Sequence, residues 1–267
     1  MRIIGEKING AIPKTAEAIR NRDVAYIVHL VEIQQAADYL DVCAGTAQEL
    51  EYDALCWLID VVQSHTDRPI CIDSPNPRML ERVFPKIQRP GLLNSISAEG
   101  EKCDILLPIL KDNPDWGVVA LCCDNAGIAA AAADKHRIAM NLIDRAAGFG
   151  VAPERMHVDP LVLALSAVND SAVQFCEALR RIKADCPTVK LTAALSNISY
   201  GMPARGLLNR NFLTMAMLSG LDSVIADPAN RDVVGNIRAV EALMGQDRCC
   251  RRYNKAFRAG QIGPVRQ

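Results

Sequence analysis

A single-domain α/β fold, the (β/α)8 TIM barrel, is what this sequence predicts, and two observations predict it. Eight short apolar segments each run into an acid or an amide, and those polar ends recur at intervals of 21 to 38 residues. A strand, a helix and two short loops need roughly 25–35 residues, so the rhythm is that of repeated β/α units. The second observation is size. The chain has 267 residues, close to the typical barrel of about 250.

In chain order the segments are residues 2–5 into Glu6, 39–40 into Asp41, 69–72 into Asp73 and 91–93 into Asn94. Then come 116–123 into Asp124, 156–158 into Asp159, 190–195 into Ser196 and Asn197, and 221–226 into Asp227. Helical patterns lie between them. Leu50, Ala54, Leu58 and Val61 recur at helical spacing, as do Ile138, Leu142, Ala146 and Phe149, with Gly148 and Gly150 as stop signals. Asn169, Asp170 and Ser171 offer N-caps before a helix whose apolar side includes Phe175, Leu179 and Ile182. The alanine run 129–133 is expected to start the helix after the fifth segment. No linker or low-complexity tract divides the chain. The expected organisation is a barrel over residues 1–247 and a tail over 248–267, rich in Arg and Lys, that packs loosely or frays.

Composition narrows the function. Half the residues are hydrophobic and only 4% aromatic, which suits a core of parallel strands and amphipathic helices. The formal net charge is −1, with Lys and Arg dispersed, so nothing points to nucleic acid or an anionic membrane as a partner. The start MRIIGEKING is too polar for a signal peptide, and no apolar run reaches ~18 residues. The expectation is a soluble, cytoplasmic protein. Its ten cysteines form no Cys-x-x-Cys pair and no His-x-Cys or His-x3-5-His spacing. No metal site is expected, and most of these residues read as reduced, structural thiols of a reducing cytoplasm.

In barrels of this kind the C-terminal strand ends carry the active site. Here those ends supply carboxylates and amides, with almost no His, Lys or Arg. Asp73 in CIDSP and Asp159 in HVDPLVL follow apolar strands, and Asn94 in LLNSIS and Asn197 in ALSNIS do the same with amides. Such a set suits a pterin. Its pyrimidine edge offers a ring N–H and an adjacent amino group, which a carboxylate accepts side by side, and acceptors that an Asn amide serves. Any one of these residues alone reads equally as a helix cap or turn residue; four at consistent strand ends argue for a site.

The strings RIIGEKING, CIDSPNP, LLNSISAEGEK, HVDPLVL, LSNISYGMPARGLLNRNFLTMAMLSGLDSVIADP and YNKAFRAG closely resemble the methyltetrahydrofolate:corrinoid methyltransferases. That family consists of pterin-binding barrels similar to dihydropteroate synthase, and the likeness runs from Met1 to about Gly260. It implies a homodimer holding tetrahydrofolate or 5-methyltetrahydrofolate in the barrel mouth. A separate corrinoid protein brings cobalamin to it, as in acetogenic or anaerobic O-demethylation pathways. Position by position, it implies that Asp73, Asn94 and Asp159 anchor the pterin and that Asn197 is the catalytic amide facing N5, beside Ser196. Glu6 and Asn9 are expected to line the same mouth. Arg205 and Arg210 meet the folate's glutamate tail or the partner, or are plain surface charges. The chain departs from the family at Cys43, where Asn is common, and in CCDNAG, which leaves Cys43 and Asp124 as rim positions of open role.

The chemistry this implies is methyl transfer between N5 and cobalt, in which N5 needs a proton or a strengthening hydrogen bond to leave. No Asp-x-His-x-x-Gly signature is present, so the corrinoid is expected on the partner. A corrinoid methyltransferase that activates a thiol acceptor through zinc is disfavoured by the missing His-x-Cys ligands, and two further rival readings stand beside it. One is a non-catalytic folate-binding subunit of a corrinoid assembly. The other is dihydropteroate synthase, disfavoured because SNISYG replaces a cationic Ser-Arg-Lys element.

Overall fold

The computed structural model describes residues 1–264; the last three residues of the expected tail, 265–267, lie outside the described residues. The elements run β1 (Arg2–Asn9), α1 (Pro13–Asn21), α2 (Val24–Ile33), β2 (Tyr39–Cys43), α3 (Gln48–His65), β3 (Ile70–Asp73) and α4 (Pro77–Val83). They continue with β4 (Leu92–Ala98), α5 (Lys102–Asp112), β5 (Gly117–Asp124), β6 (Gly127–Ile128), α6 (Ala132–Gly148), β7 (Met156–Asp159) and α7 (Ser171–Asp185). Last come β8 (Lys190–Leu191), α8 (Arg205–Leu218), β9 (Ser223–Ala226), α9 (Arg231–Leu243) and α10 (Arg251–Arg258).

Every expected apolar segment contributes a strand. Eight of them pair in parallel in the order β8-β7-β5-β4-β3-β2-β1-β9. The ring is completed where Ile225 N–H donates to the Ala193 carbonyl at 2.8 Å. β6 is an extra piece, a short antiparallel return on β5. The seventh segment gives only two residues of strand before a 3-10 turn, Leu195–Ser199. The first connection holds two helices in place of one, because Arg22 adopts a left-handed conformation and Asp23 then caps α2 by accepting from Tyr26 N–H at 3.0 Å. α3 buries Ala54, Leu58 and Val61, while Leu50 is 63% exposed. The alanine run enters α6 only from Ala132. α7 buries Phe175, Leu179 and Ile182 as expected, although its N-cap residue, Asp170, makes no capping hydrogen bond.

Strand side chains alternate between two faces, which gives two cores. The outer one joins strands to helices through residues such as Leu40, Ile72, Leu93 and Val158 against Leu58, Leu106, Leu142 and Leu179. The inner one is a small plug of Ile4, Cys71, Leu92 and Val119, with Tyr39, Leu121 and Ile225 against it. Burying one such aliphatic side chain contributes about 1.5–3 kcal/mol, so most cohesion lies in the far larger outer layer. The inner plug instead forms a floor. Two residues above Cys71 and Leu92 stand Asp73 and Asn94, on the same interior stripe.

After α9 the chain turns back. The Asp247 carboxylate accepts the backbone N–H groups of Arg252 and Tyr253 at 3.0 and 2.9 Å, capping α10. The Arg231 guanidinium then reaches the carbonyls of Gly260 and Gly263, and Ile262 is buried. No helix among the described residues is long and apolar enough to cross a membrane.

Candidate functional site

Each polar group reaches the mouth by a local device. In β1 the register slips between Gly5 and Ile8, a bulge that turns the strand. Buried Gln34 holds it, its Oε1 accepting Lys7 N–H at 3.0 Å, while Thr15 Oγ1 donates to the Lys7 carbonyl at 3.3 Å. Lys7 is thereby committed to Asp227, 3.2 Å away, and Glu6 faces the mouth. Asn9 Oδ1 accepts Ala11 N–H at 2.8 Å, starting a loop that Gly10 lets pass tightly under the next one. A Cβ at Gly10 would stand 1.9 Å from the Ala44 carbonyl oxygen.

On the opposite wall, Asn94 Nδ2 donates to Asp41 Oδ1 at 3.2 Å. Ser74 N–H donates to the Asn94 carbonyl at 3.1 Å, and Ser74 Oγ donates to Glu51 at 2.6 Å. These bonds fix the end of β3 beside Asn94 of β4. Asp159 closes β7, its Oδ1 accepting Leu161 N–H at 2.7 Å. Ser196 and Asn197 ride on the 3-10 turn after β8. Arg205 staples that turn, donating through Nε to Ser199 Oγ at 3.0 Å and through Nη2 to the Ser196 carbonyl at 2.7 Å. Asn197 itself is exposed, and its amide has no hydrogen-bond partner among the described residues.

The structure therefore brings Glu6, Asn9, Asp73, Asn94, Asp159, Ser196, Asn197 and Arg205 around one cavity of about 770 Å³, a volume in the range of small-molecule sites. Asp124 and Arg210 do not line it. Asp124 caps the β5–β6 turn by accepting Ala126 N–H at 2.9 Å, and Arg210 pairs with Asp232 at 3.3 Å, joining α8 to α9. Cys43 is half-buried next to Asp73, to which its thiol donates, and burial pushes that thiol up.

Asp41, Lys102 and Tyr200 also line the cavity without having been picked out as site residues. Asp41 was visible as a polar strand end. β2 continues two residues past it to Cys43, which sets the carboxylate deeper than its counterparts. Lys102 and Tyr200 sit on a helix start and a loop, where periodicity carries no signal.

Burial dominates the electrostatics. It raises Glu6 to about 7, helped by Asp227, and raises Asp73 to about 6. Asp159 also rises to about 6 through burial, opposed by the Leu161 N–H and by Lys135. Asp41 is pushed well above the carboxylate range by burial and then by Asp73. Of the two cations on the lining, Lys102 is held by Glu99 at 2.9 Å and Arg205 by the turn. The carboxylates thus lack cationic partners and are set to accept N–H groups from a neutral heterocycle. Among the described residues, no group of three His, Cys, Asp or Glu is arranged to hold a metal ion.

Comparison with known proteins agrees with this geometry. Residues 13–227 match the family described as pterin binding enzyme. The chain is 47% identical to the methylcorrinoid:tetrahydrofolate methyltransferase of Eubacterium limosum, covering 99% of both chains. It is 28% identical to the methionine synthase of Mycobacterium tuberculosis, over 84% of this chain and 20% of that one. Among solved structures, dihydropteroate synthase from Xanthomonas albilineans with 4-aminobenzoic acid superimposes with a TM-score of 0.70 at 20% identity, covering 92% and 93% of the two chains. The Coxiella burnetii dihydropteroate synthase with pteroic acid gives 0.65 at 12% identity, covering 92% and 93%. These two likenesses concern the fold.

Proposed function

The chain belongs to the pterin binding enzymes, and we propose that it transfers a methyl group between the cobalt of a corrinoid and N5 of tetrahydrofolate. The observation that carries this reading is the full-length 47% identity to the Eubacterium limosum methylcorrinoid:tetrahydrofolate methyltransferase. The cavity supports it with a donor-accepting wall matched to a pterin edge. Asp73 and Asp159 accept the ring N–H and amino donors, and Asn94, oriented by Asp41, serves the acceptor atoms. Glu6, Asn9 and Ser196 complete the walls.

The reaction is an in-line displacement. Toward the corrinoid, reduced cobalt attacks the methyl carbon, the C–N5 bond breaks, and N5 keeps the electron pair. In reverse, N5 attacks the methyl carbon, cobalt keeps the pair, and N5 releases its proton to solvent. An amide anion is a very poor leaving group, so N5 must take up a proton or a strengthening hydrogen bond as charge develops. Asn197 is the residue in that role. Its amide is uncommitted, it projects from a turn held by Arg205, and it faces the same cavity as the anchoring carboxylates. Solvent supplies the proton.

The cavity is sized for the pterin and opens at the strand ends, so the corrinoid approaches from outside, carried by a separate protein, and this chain binds no metal of its own. Met215, Leu218 and Leu243 give α8 and α9 exposed apolar area suited to a second copy of the chain; light scattering tests the homodimer. The protein acts in the cytoplasm. Turnover of methylcobalamin with tetrahydrofolate by the purified chain tests the central reading. Tight folate binding without turnover would instead assign a non-catalytic subunit.

A further inference from the structure

A fully buried lysine stands behind the cavity. Lys135, in the first turn of α6, is 0% exposed and among the largest wholly buried side chains of the molecule. A buried ammonium is tolerated only when its protons are taken up. Here the acceptors are backbone: Nζ donates to the Pro160 carbonyl at 2.7 Å and to the Leu161 carbonyl at 2.6 Å. Both carbonyls belong to the turn after β7, and that turn needs holding. Leu161 has φ of 56°, a left-handed conformation unfavourable for a side chain of its kind. The same turn directs Leu161 N–H onto Asp159 Oδ1. Its shape therefore decides which carboxylate oxygen is used internally and which faces the cavity.

The titratable groups facing Lys135 are Cys122 on β5 and Asp159; burial pushes the Cys122 thiol up, which keeps it neutral. No carboxylate lies within ion-pair distance of Lys135 among the described residues. Asp159 and Leu161 line the cavity, whereas Lys135 does not.

We infer that Lys135 is a positioning residue for Asp159. It clamps the carbonyls of residues 160 and 161 so that the left-handed turn engages Asp159 Oδ1 and presents the other oxygen to the ligand. The inference rests on reading Asp159 as a pterin anchor.

The experiment is a double-mutant cycle, read by calorimetric titration of the full-length protein with 5-methyltetrahydrofolate. Lys135→Met, similar in length but without charge or donor, is expected to raise Kd roughly tenfold. In an Asp159→Ala background the same substitution should change Kd by less than about twofold. A second signature is the acid limb of binding. Among the described residues Lys135 is the one cation acting on Asp159, so the methionine variant should lose affinity at a higher pH than wild type.

A lowered Tm with Kd within twofold of wild type would make Lys135 merely structural and overturn the inference. An equal loss with and without Asp159 would overturn it as well. Asp159→Ala binding as tightly as wild type defeats the anchor reading and this inference with it, a result distinct from failure of the lysine alone. If Lys135→Met does not fold, Lys135→Leu, which also lacks donor and charge, carries the same comparison.

Discussion

Replacing Asn197 with alanine separates binding from catalysis, because the structure makes the substitution unusually clean. The amide is exposed and unpartnered among the described residues, so stability should change by no more than about 0.5 kcal/mol. The turn that carries it is held independently by Arg205 and Ser199, so its backbone should persist. What is lost is one preorganised donor at the atom where charge changes. Deleting such a donor costs about 10²–10³ in kcat, or about 2.7–4 kcal/mol. The exposed position of Asn197 places it at the lower end, roughly 10². Single-turnover and steady-state rates with methylcobalamin and tetrahydrofolate, beside Kd from titration of the same preparation, provide the comparison. Near-normal kcat with weakened binding would refute the reasoning. Asn197 would then be an anchor like Asn94, and another group would have to stabilise N5.

Asp73→Ala or Asp159→Ala should raise the Kd for 5-methyltetrahydrofolate tenfold or more, since a charge-assisted pair to a buried donor contributes about 1.5–3 kcal/mol; unchanged titration curves for both would remove them from the pterin site. Burial raises both carboxyls to about 6 from an ordinary 3.8, so the folded apoprotein holds extra protons between those values. Their contribution to stability therefore falls as pH rises from about 4 to 6, while pterin affinity, which needs the anions, rises. Across that interval, with Asp73→Asn as control, Tm and Kd should both fall as pH rises, and a Kd that rises while Tm falls would contradict the assignment. Elemental analysis of the gel-filtered protein should find neither zinc nor cobalt at one per chain; zinc would overturn the proposal that this chain binds no metal, and cobalt the proposal that the corrinoid arrives on a partner.

The barrel was legible because its signal repeats: eight apolar segments with polar ends need no tertiary information to be counted. Asp73 and Asp159 were legible for the same reason, as residues that stop an apolar strand, and Asn94 as the first polar residue of β4, which runs on to Ala98. Asp41 shows where this reasoning thins. It too ends an apolar pair, but Val42 and Cys43 extend the strand, and depth inside a barrel depends on strand stagger, which local sequence does not encode. Lys135 was less visible still. Next to an alanine run and a histidine, it reads as a solvated helix residue, and only the path of the β7–α7 turn supplies the carbonyls that permit its burial. Asp124 ends a strand as its counterparts do. The β6 return then occupies its carboxylate in a local turn.

The ten thiols are all free, and their placement affects how self-association is judged. Cys71, Cys103, Cys122, Cys123 and Cys176 are sealed in the body of the molecule, whereas Cys249 and Cys250 stand exposed at the approach to α10. Air oxidation of the folded protein will therefore reach that pair first and can join two chains covalently without disturbing the barrel. A dimer band on a non-reducing gel would then record storage history, and quaternary structure has to be assessed with a reductant present.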